Sequence, residues 1–396
     1  MKKIFFTIMA LLIVSITSCD EEKIGQTPTD NIPPQPISNV SVESLPGGAK
    51  ISYELPQETD ISYVKGEYLF QGERRITRAS VYNNYMIIEG LGNTNPVDIT
   101  LYTVDHSENT STPVKASFTP GIPPIHNIFT SMGLKADFGG INITWNNENK
   151  VEIGFTIYAT NEKGIFEEGE TFYTNQKDGS YSFRGYDSSE RIFAFTITDK
   201  WGNISDTLKA AFTPLFEKEL DKSKHKREVL PVDNNTDYSS GWLFSKLFDG
   251  VVGNNGWHTK QNDPNQKIPL YFTIDLGVEA TLSRFKLWHR LGNNVYKNHN
   301  NYKKGMQENY WSEEWKNDWE LLGDYETFKP SGEDNPSVTN EDIAYAEAGF
   351  EFMVPIEKQR VRYVRFAMKS NWSGSNALHI SEITFYGDDR INDINE

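Results

Sequence analysis

Apolar residues recur at every second position through much of this chain. The runs are short and bounded by Gly, Pro, Asn and Asp, as half-buried strands are. Leu101-Tyr102-Thr103-Val104, Phe195-Thr196-Ile197-Thr198, Tyr271-Phe272-Thr273-Ile274, Leu282-Ser283-Arg284-Phe285 and Val361-Arg362-Tyr363-Val364 show it most plainly. Strands that bury one face each must stack sheet on sheet. The pattern therefore predicts an all-β chain of antiparallel sandwiches.

An internal repeat sets the architecture of the first half. Leu101–Asp105 leading to Ala116–Pro120 returns, 94 residues on, as Phe195–Asp199 leading to Ala210–Pro214. Gly47-Gly48-Ala49-Lys50-Ile51-Ser52-Tyr53 likewise matches Gly139-Gly140-Ile141-Asn142-Ile143-Thr144-Trp145. A period of that size suits a whole sandwich rather than a solenoid unit. The expected units are residues 37–120 and 122–215, with Trp145 turned into the second core. The mixed-sign run from Glu217 to Glu228 reads as a solvated connector over 216–230, and a third sandwich is expected over 231–390.

Composition narrows the function. The formal charge of −16 argues against a nucleic-acid binder, which needs clustered Lys and Arg. Aromatic residues make up 13% while Cys occurs once, so packing rather than an intrachain disulfide must hold the fold. That cysteine, Cys19, follows a basic start and the apolar run Ile4–Ile16, which is too short to span a bilayer and reads as a signal peptide over 1–18. From 19 to 36 the chain is polar and proline-punctuated, as an extended spacer is.

Several stretches resemble known families. Ile16-Thr17-Ser18-Cys19 is similar to a bacterial lipobox, which implies lipid attachment at Cys19. The acidic Asp20-Glu21-Glu22 after it resembles the surface-export signal of Bacteroidetes lipoproteins. The pairs YTVDHSENTSTPVKASF and FTITDKWGNISDTLKAAF resemble the last two strands of fibronectin type III modules. From Trp242 to Gly387, the ordered run LFDG, GWHT, YFTIDLG, SRFKLWHR, VRYVRFAM, NWSG and LHISEITFYG resembles a discoidin (F5/8 type C) domain. That family implies a galactose-binding-like jelly-roll as the last of three β-sandwich domains in series. The whole chain resembles lipoproteins of gut Bacteroidetes encoded beside glycan-uptake genes, which implies an outer-membrane, surface-exposed location and glycan-uptake proteins as partners.

The discoidin resemblance supplies site candidates. It implies a structural calcium (Ca2+) held by Asp249 in the Phe248-Asp249-Gly250 loop and by Glu382 in the final strand; a hard cation wants several such oxygens. The residues alone equally allow Asp249 to cap a turn and Glu382 to pair with an arginine such as Arg365. For a glycan, an aromatic platform beside amide and charged hydrogen-bonding groups is required. Trp257, His289, Arg290, Asn294, Tyr296 and Trp372 lie in loops of that composition. No GxSxG sequence occurs, the single Cys is spent at the anchor, and Glu313, Glu314, Asp318 and Glu320 read as one surface run rather than two carboxylates across a cleft. The expected function is non-catalytic carbohydrate binding at the cell surface. The alternative is a structural or protein-binding component of an outer-membrane assembly.

Overall fold

The structure is a computed structural model. It describes residues 30–231, 233–292, 295–296, 319–358 and 360–390, with the backbone alone of 302–310. Cys19 and the leader, as well as Asn294, lie outside the described residues. Among the described residues no helix is long and apolar enough to cross a membrane.

The first sandwich is built from β1 (Ser38–Leu45), β2 (Gly48–Glu54), β3 (Ile61–Phe70), β4 (Glu73–Ser80), β5 (Tyr85–Ile88), β6 (Val97–Asp105) and β7 (Val114–Phe118). A three-stranded layer, β1-β2-β5, faces a four-stranded one, β4-β3-β6-β7. After α1 (Pro124–Ser131) the plan repeats. Its strands are β8 (Gly133–Asp137), β9 (Gly140–Asn146), β10 (Ile153–Thr160), β11 (Phe166–Thr174), β12 (Asp178–Arg184), β13 (Arg191–Asp199) and β14 (Leu208–Phe212). The layers are β8-β9-β12 and β11-β10-β13-β14. Alternation put Ile141, Ile143 and Trp145 on the inner face of β9, and all three are buried with Phe155, Phe183, Phe193 and Phe195.

The repeat extends to one turn. In the first copy Asp105 Oδ1 accepts from the backbone N–H groups of Ser107 and Asn109, while Asn109 donates to Asp105 Oδ2 and to the Asp30 carbonyl. In the second, Asp199 Oδ1 accepts from Trp201 and Asn203, and Asn203 donates to Asp199 Oδ2 and to the Gly90 carbonyl. The same side-chain bonding that shapes the turn thus seats the second sandwich on the first. Trp201 lies over Gly90, where a Cβ would sit 2.5 Å from its ring.

The C-terminal unit begins earlier than the charge pattern suggests. Residues 216–230 are not a solvated connector. Their strands β15 (Lys218–Glu219) and β16 (Lys226–Glu228) flank a short 3-10 turn over Lys222–Lys224 and pair with strands of the last domain. Leu220 is 1% exposed in its core. The unit continues with β17 (Trp257–His258), β18 (Leu270–Trp288), β19 (Tyr302–Tyr310), β20 (Glu320–Glu326), α2 (Asn340–Ala348), β21 (Phe350–Met353), β22 (Val361–Asn371), β23 (His379–Ile380) and β24 (Glu382–Asp388). β18 serves both layers: its first part pairs with β16 and β22, its second with β24 and β21. Between the layers Phe272 stacks on Phe366 at 4.7 Å, with Phe285 and Phe385 buried beside them. Each such ring stabilises the fold by about 1.5–3 kcal/mol.

The pairing of 216–230 with the last domain is testable. A fragment of residues 216–396 should melt as one cooperative unit. The shorter 231–396 loses the buried Leu220, about 1.5–3 kcal/mol, and the ammonium partner of a buried carboxylate, about 3–5 kcal/mol. It should melt well below the longer piece, or not fold; superimposable thermal melts by circular dichroism would contradict this.

Candidate functional site: the loop surface of the C-terminal sandwich

Five loops of this domain are knitted into one surface by hydrogen bonds between residues far apart in sequence. Tyr238 N–H donates to the His258 carbonyl at 2.8 Å and Thr259 N–H to Leu378 O at 2.9 Å. Leu291 N–H reaches Gly253 O at 2.9 Å, and Ser381 N–H reaches Trp288 O at 2.8 Å. These bonds tie the loops to one another and to strand ends, so side chains here have a rigid base.

Among these loops stands Arg290, half-buried. Its guanidinium lies 4.9 Å over the ring of Trp242 and its Nε donates to Asn254 Oδ1. Trp242 in turn meets the ring of His379 edge-on at 4.8 Å, and His379 meets His258 at 4.8 Å. Both histidines are buried, and His258 Nδ1 faces the Thr259 carbonyl. The stack holds the arginine planar and fixed, as a cation–π contact with a second hydrogen bond does.

The other nominated residues separate. His289, Tyr296 and Trp372 come together, with Tyr296 edge-on to Trp372 at 4.9 Å and to His289 at 5.7 Å. His289 is fully buried and Tyr296 is 4% exposed, so neither presents its ring to a ligand. His289 continues the inward side of β18 after Phe285 and Leu287, whereas Arg290 continues the outward side. Trp257 is also a core residue: it is fully buried, packs on Phe244 and Phe272, and gives its Nε1 hydrogen to Asp237 at 2.9 Å. Trp372 remains half-buried, its Nε1 donating to Thr327 Oγ1 at 2.8 Å. Of the nominated set, Arg290 and Trp372 are the described residues that are not buried.

Sequence reading passed over Trp242 and Asn254, and with them a hollow of about 650 Å³ between the loops 233–236 and 263–271. Its signal was compositional: Asp233-Asn234-Asn235 and Gln261-Asn262-Asp263-Pro264-Asn265-Gln266 crowd amides and carboxylates beside an aromatic strand.

The calcium implied by the resemblance does not fit the donor set. Glu382, 1% exposed, accepts from the Lys222 ammonium at 2.6 Å, and Asp249 pairs with Lys246 at 3.0 Å while accepting from the Val251 N–H. Each carboxylate therefore has its own cation, and the Lys222 charge stands where a divalent ion would have to approach. Among the described residues no group of three or more His, Cys, Asp or Glu side chains is placed to hold a metal. Asp249 does cap a turn; the partner of Glu382 is a lysine, while Arg365 pairs with Asp233 at 2.6 Å. Burial pushes the Glu382 carboxyl up to about 7 against the opposing pull of Lys222.

Comparison with known proteins covers nearly the whole described chain. Residues 34–120 match the domain of unknown function DUF4959, residues 121–223 match DUF5126, and residues 245–387 match DUF5000. No curated protein matches the chain. Among solved structures it is similar to a SusE-like protein, at 29% identity over 67% of this chain and 99% of that one, with a TM-score of 0.42. It is also similar to the C-terminal domain of a chitobiase from Bacteroides fragilis, at 18% identity over 44% of this chain and 100% of that one, TM-score 0.32. The CBM32-2 module of a GH31 protein bound to GalNAc is similar at 16% identity over 41% of this chain and 97% of that one, TM-score 0.28.

The Lys222–Glu382 pair generates two predictions. Because Lys222 supplies the cation, chelation should leave the melting temperature unchanged, while Lys222→Met should cost up to about 3–5 kcal/mol at pH 8, where Glu382 is ionised and is left without its cation; differential scanning calorimetry reads both. For pH the sign follows from the raised carboxyl. Between the ordinary value of 4.5 and about 7 the folded state keeps a proton that the unfolded state has released, so this contribution is full at low pH and is lost as pH rises through that window. Its size is on the order of 3 kcal/mol. Glu382→Gln should flatten that part of the stability–pH curve, and an unchanged slope would contradict the assignment.

Proposed function

We propose that the C-terminal sandwich captures a glycan without chemistry on it, and that the two N-terminal sandwiches carry it at fixed reach from the bacterial envelope. The observation that carries this reading is the Arg290–Trp242–Asn254 unit. A half-buried guanidinium, stacked on an aromatic face and bonded to an amide, is built to bind hydroxyl or carbonyl oxygens through parallel hydrogen bonds. Trp372 is the complementary part: its one donor is already spent on Thr327, so what remains for a ligand is ring surface, suited to the C–H face of a sugar. The sequence resemblance to discoidin modules supports the same surface. The resemblance to lipoproteins encoded beside glycan-uptake genes supports an anchor at Cys19, an outer-membrane location and partnership with uptake proteins.

Isothermal calorimetry of the soluble full chain against neutral and acidic oligosaccharides from plant cell walls and mucins tests the proposal. Arg290→Ala and Trp372→Ala should each weaken binding at least tenfold, in line with hot-spot losses of about 2 kcal/mol. Trp242→Ala should weaken it as well, by releasing Arg290. Binding undiminished in all three variants, or no ligand in the panel beside capture of an outer-membrane protein, would overturn the reading.

A further inference from the structure

The loops that carry the arginine platform also enclose the 650 Å³ hollow, a volume within the about 300–1,000 Å³ of small-molecule sites. Its frame is locked from behind. Buried Gln266 accepts from Asn234 Nδ2 at 2.6 Å and donates to Thr259 Oγ1 and to the Asn376 carbonyl. Asn376 in turn donates to the carbonyls of Asp263 and Gln266 at 2.8 and 3.0 Å. These amide bonds fix the two loops at the distance the hollow needs.

Its rim is different. The side chains of Asn235, Asn265 and Lys267 are exposed, line the hollow and hold no hydrogen-bond partner among the described residues. Pro269, Leu270 and Tyr271 contribute apolar surface. The Tyr271 ring is braced by Arg365 at 4.6 Å, itself held by Asp233. A rim of free amides over a rigid, partly apolar wall matches a molecule with a hydroxyl edge and a C–H face. Charge decides the class further: Asp233 is neutralised by Arg365, and Lys267 is matched by Asp263 at the same hollow. No basic cluster is present to select a phosphate or a polyanion.

We infer that this hollow is a second saccharide subsite, selective for neutral, hydroxyl-rich glycan, that works on the same chain of sugars as the Arg290 platform. The inference rests on the glycan reading above. Two loops tie the sites together. The loop that begins with Asn234 and Asn235 at the hollow ends at Trp242 under Arg290, and the loop with Asn376 behind the hollow leads to His379 against Trp242. Two sites on one rigid surface make the second contact intramolecular, so affinity must climb with ligand length.

The test is calorimetry of the full chain with cello-, xylo- and galacto-oligosaccharides of two to six units, beside oligogalacturonate as the acidic control. For the neutral series that binds, the longest member should bind at least tenfold tighter than the shortest. Asn235→Ala/Asn265→Ala, and separately Asn265→Trp as a blocking variant, should remove that gain. Each of these side chains is exposed and unbonded, so melting curves should match the parent. Loss of all binding in Arg290→Ala, with the length gain intact in both hollow variants, would overturn this subsite and leave the platform standing. Preference for oligogalacturonate would overturn its neutral selectivity. The absence of any saccharide ligand would overturn both readings.

Discussion

The C-terminal domain depends on a single strand that belongs to both of its layers. β18 leaves one layer at Asp275 and joins the other by Thr281, and the corner between them contains Gly277 at φ +71. A side chain is strained in that backbone conformation, and a Cβ there would lie 2.5 Å from the Lys224 carbonyl. The corner is therefore shaped to receive the charged segment. Lys224 packs on Gly277, His225 Nδ1 meets the Leu276 carbonyl at 3.0 Å, and Lys226 reaches Asp275 at 3.4 Å. Asp275 is 1% exposed, and burial alone would raise its pKa. Two bonds from Arg362, with Lys226 and the Gly277 N–H, outweigh burial and hold it below the ordinary carboxylate range. A buried charge without such partners would cost several kcal/mol, so the strand's change of layer and the docking of 216–230 are one event.

The same segment fixes the domain to its neighbour. Glu217 accepts from Arg184 of the second sandwich and from Arg284 and Ser283 of the third. Arg184 also pairs with Asp137, and Arg284 with Glu351 while lying 3.6 Å over the Tyr386 ring. Glu217, Arg184 and Arg284 each have more than one partner, which distinguishes the network from an isolated surface pair worth about 0–1 kcal/mol. Arg284 and Arg290 are six residues apart along β18 and the loop that follows it. At about 3.3 Å per residue the proposed binding surface stands some 20 Å from the junction, at a distance set by one strand.

Much of this fold is legible in the chain because its information is local. Period-two alternation marks β6, β13, β18 and β22, and the repeat shows that one sandwich plan is used twice. The run 217–228 misleads for the opposite reason. Its charges are partnered by Glu382, Asp275, Ser283 and Arg284, residues that no window of sequence brings near, so it reads as solvated. In the site, the alternation itself held information that composition obscured. Phe285, Leu287 and His289 share one parity and one buried face; Lys286, Trp288 and Arg290 share the other. Treating His289-Arg290 as a pair of polar loop residues overlooked that they point to opposite sides of the sheet. Trp242 and Asn254 could be found only through the fold, since what makes them matter is the guanidinium between them.

In the proposed site that guanidinium divides the work of recognition. One face of Trp242 is covered by Arg290 and its ring meets His379 edge-on, so the tryptophan acts mainly on the arginine, lowering the entropy the side chain would otherwise lose on binding. Burial against that ring lowers the Arg290 pKa, yet from so high an ordinary value that the group stays cationic at neutral pH. Ring surface for a sugar must then come from elsewhere, and Trp372, packed against Tyr296 on the far side of His289, is the half-exposed indole positioned to give it. His289 and Tyr296, both buried, lie between Trp372 and the strand end that carries Arg290. In the proposed site the arginine supplies hydrogen bonds and the indole supplies desolvated contact, which together select for a molecule polar along one edge and apolar across one face.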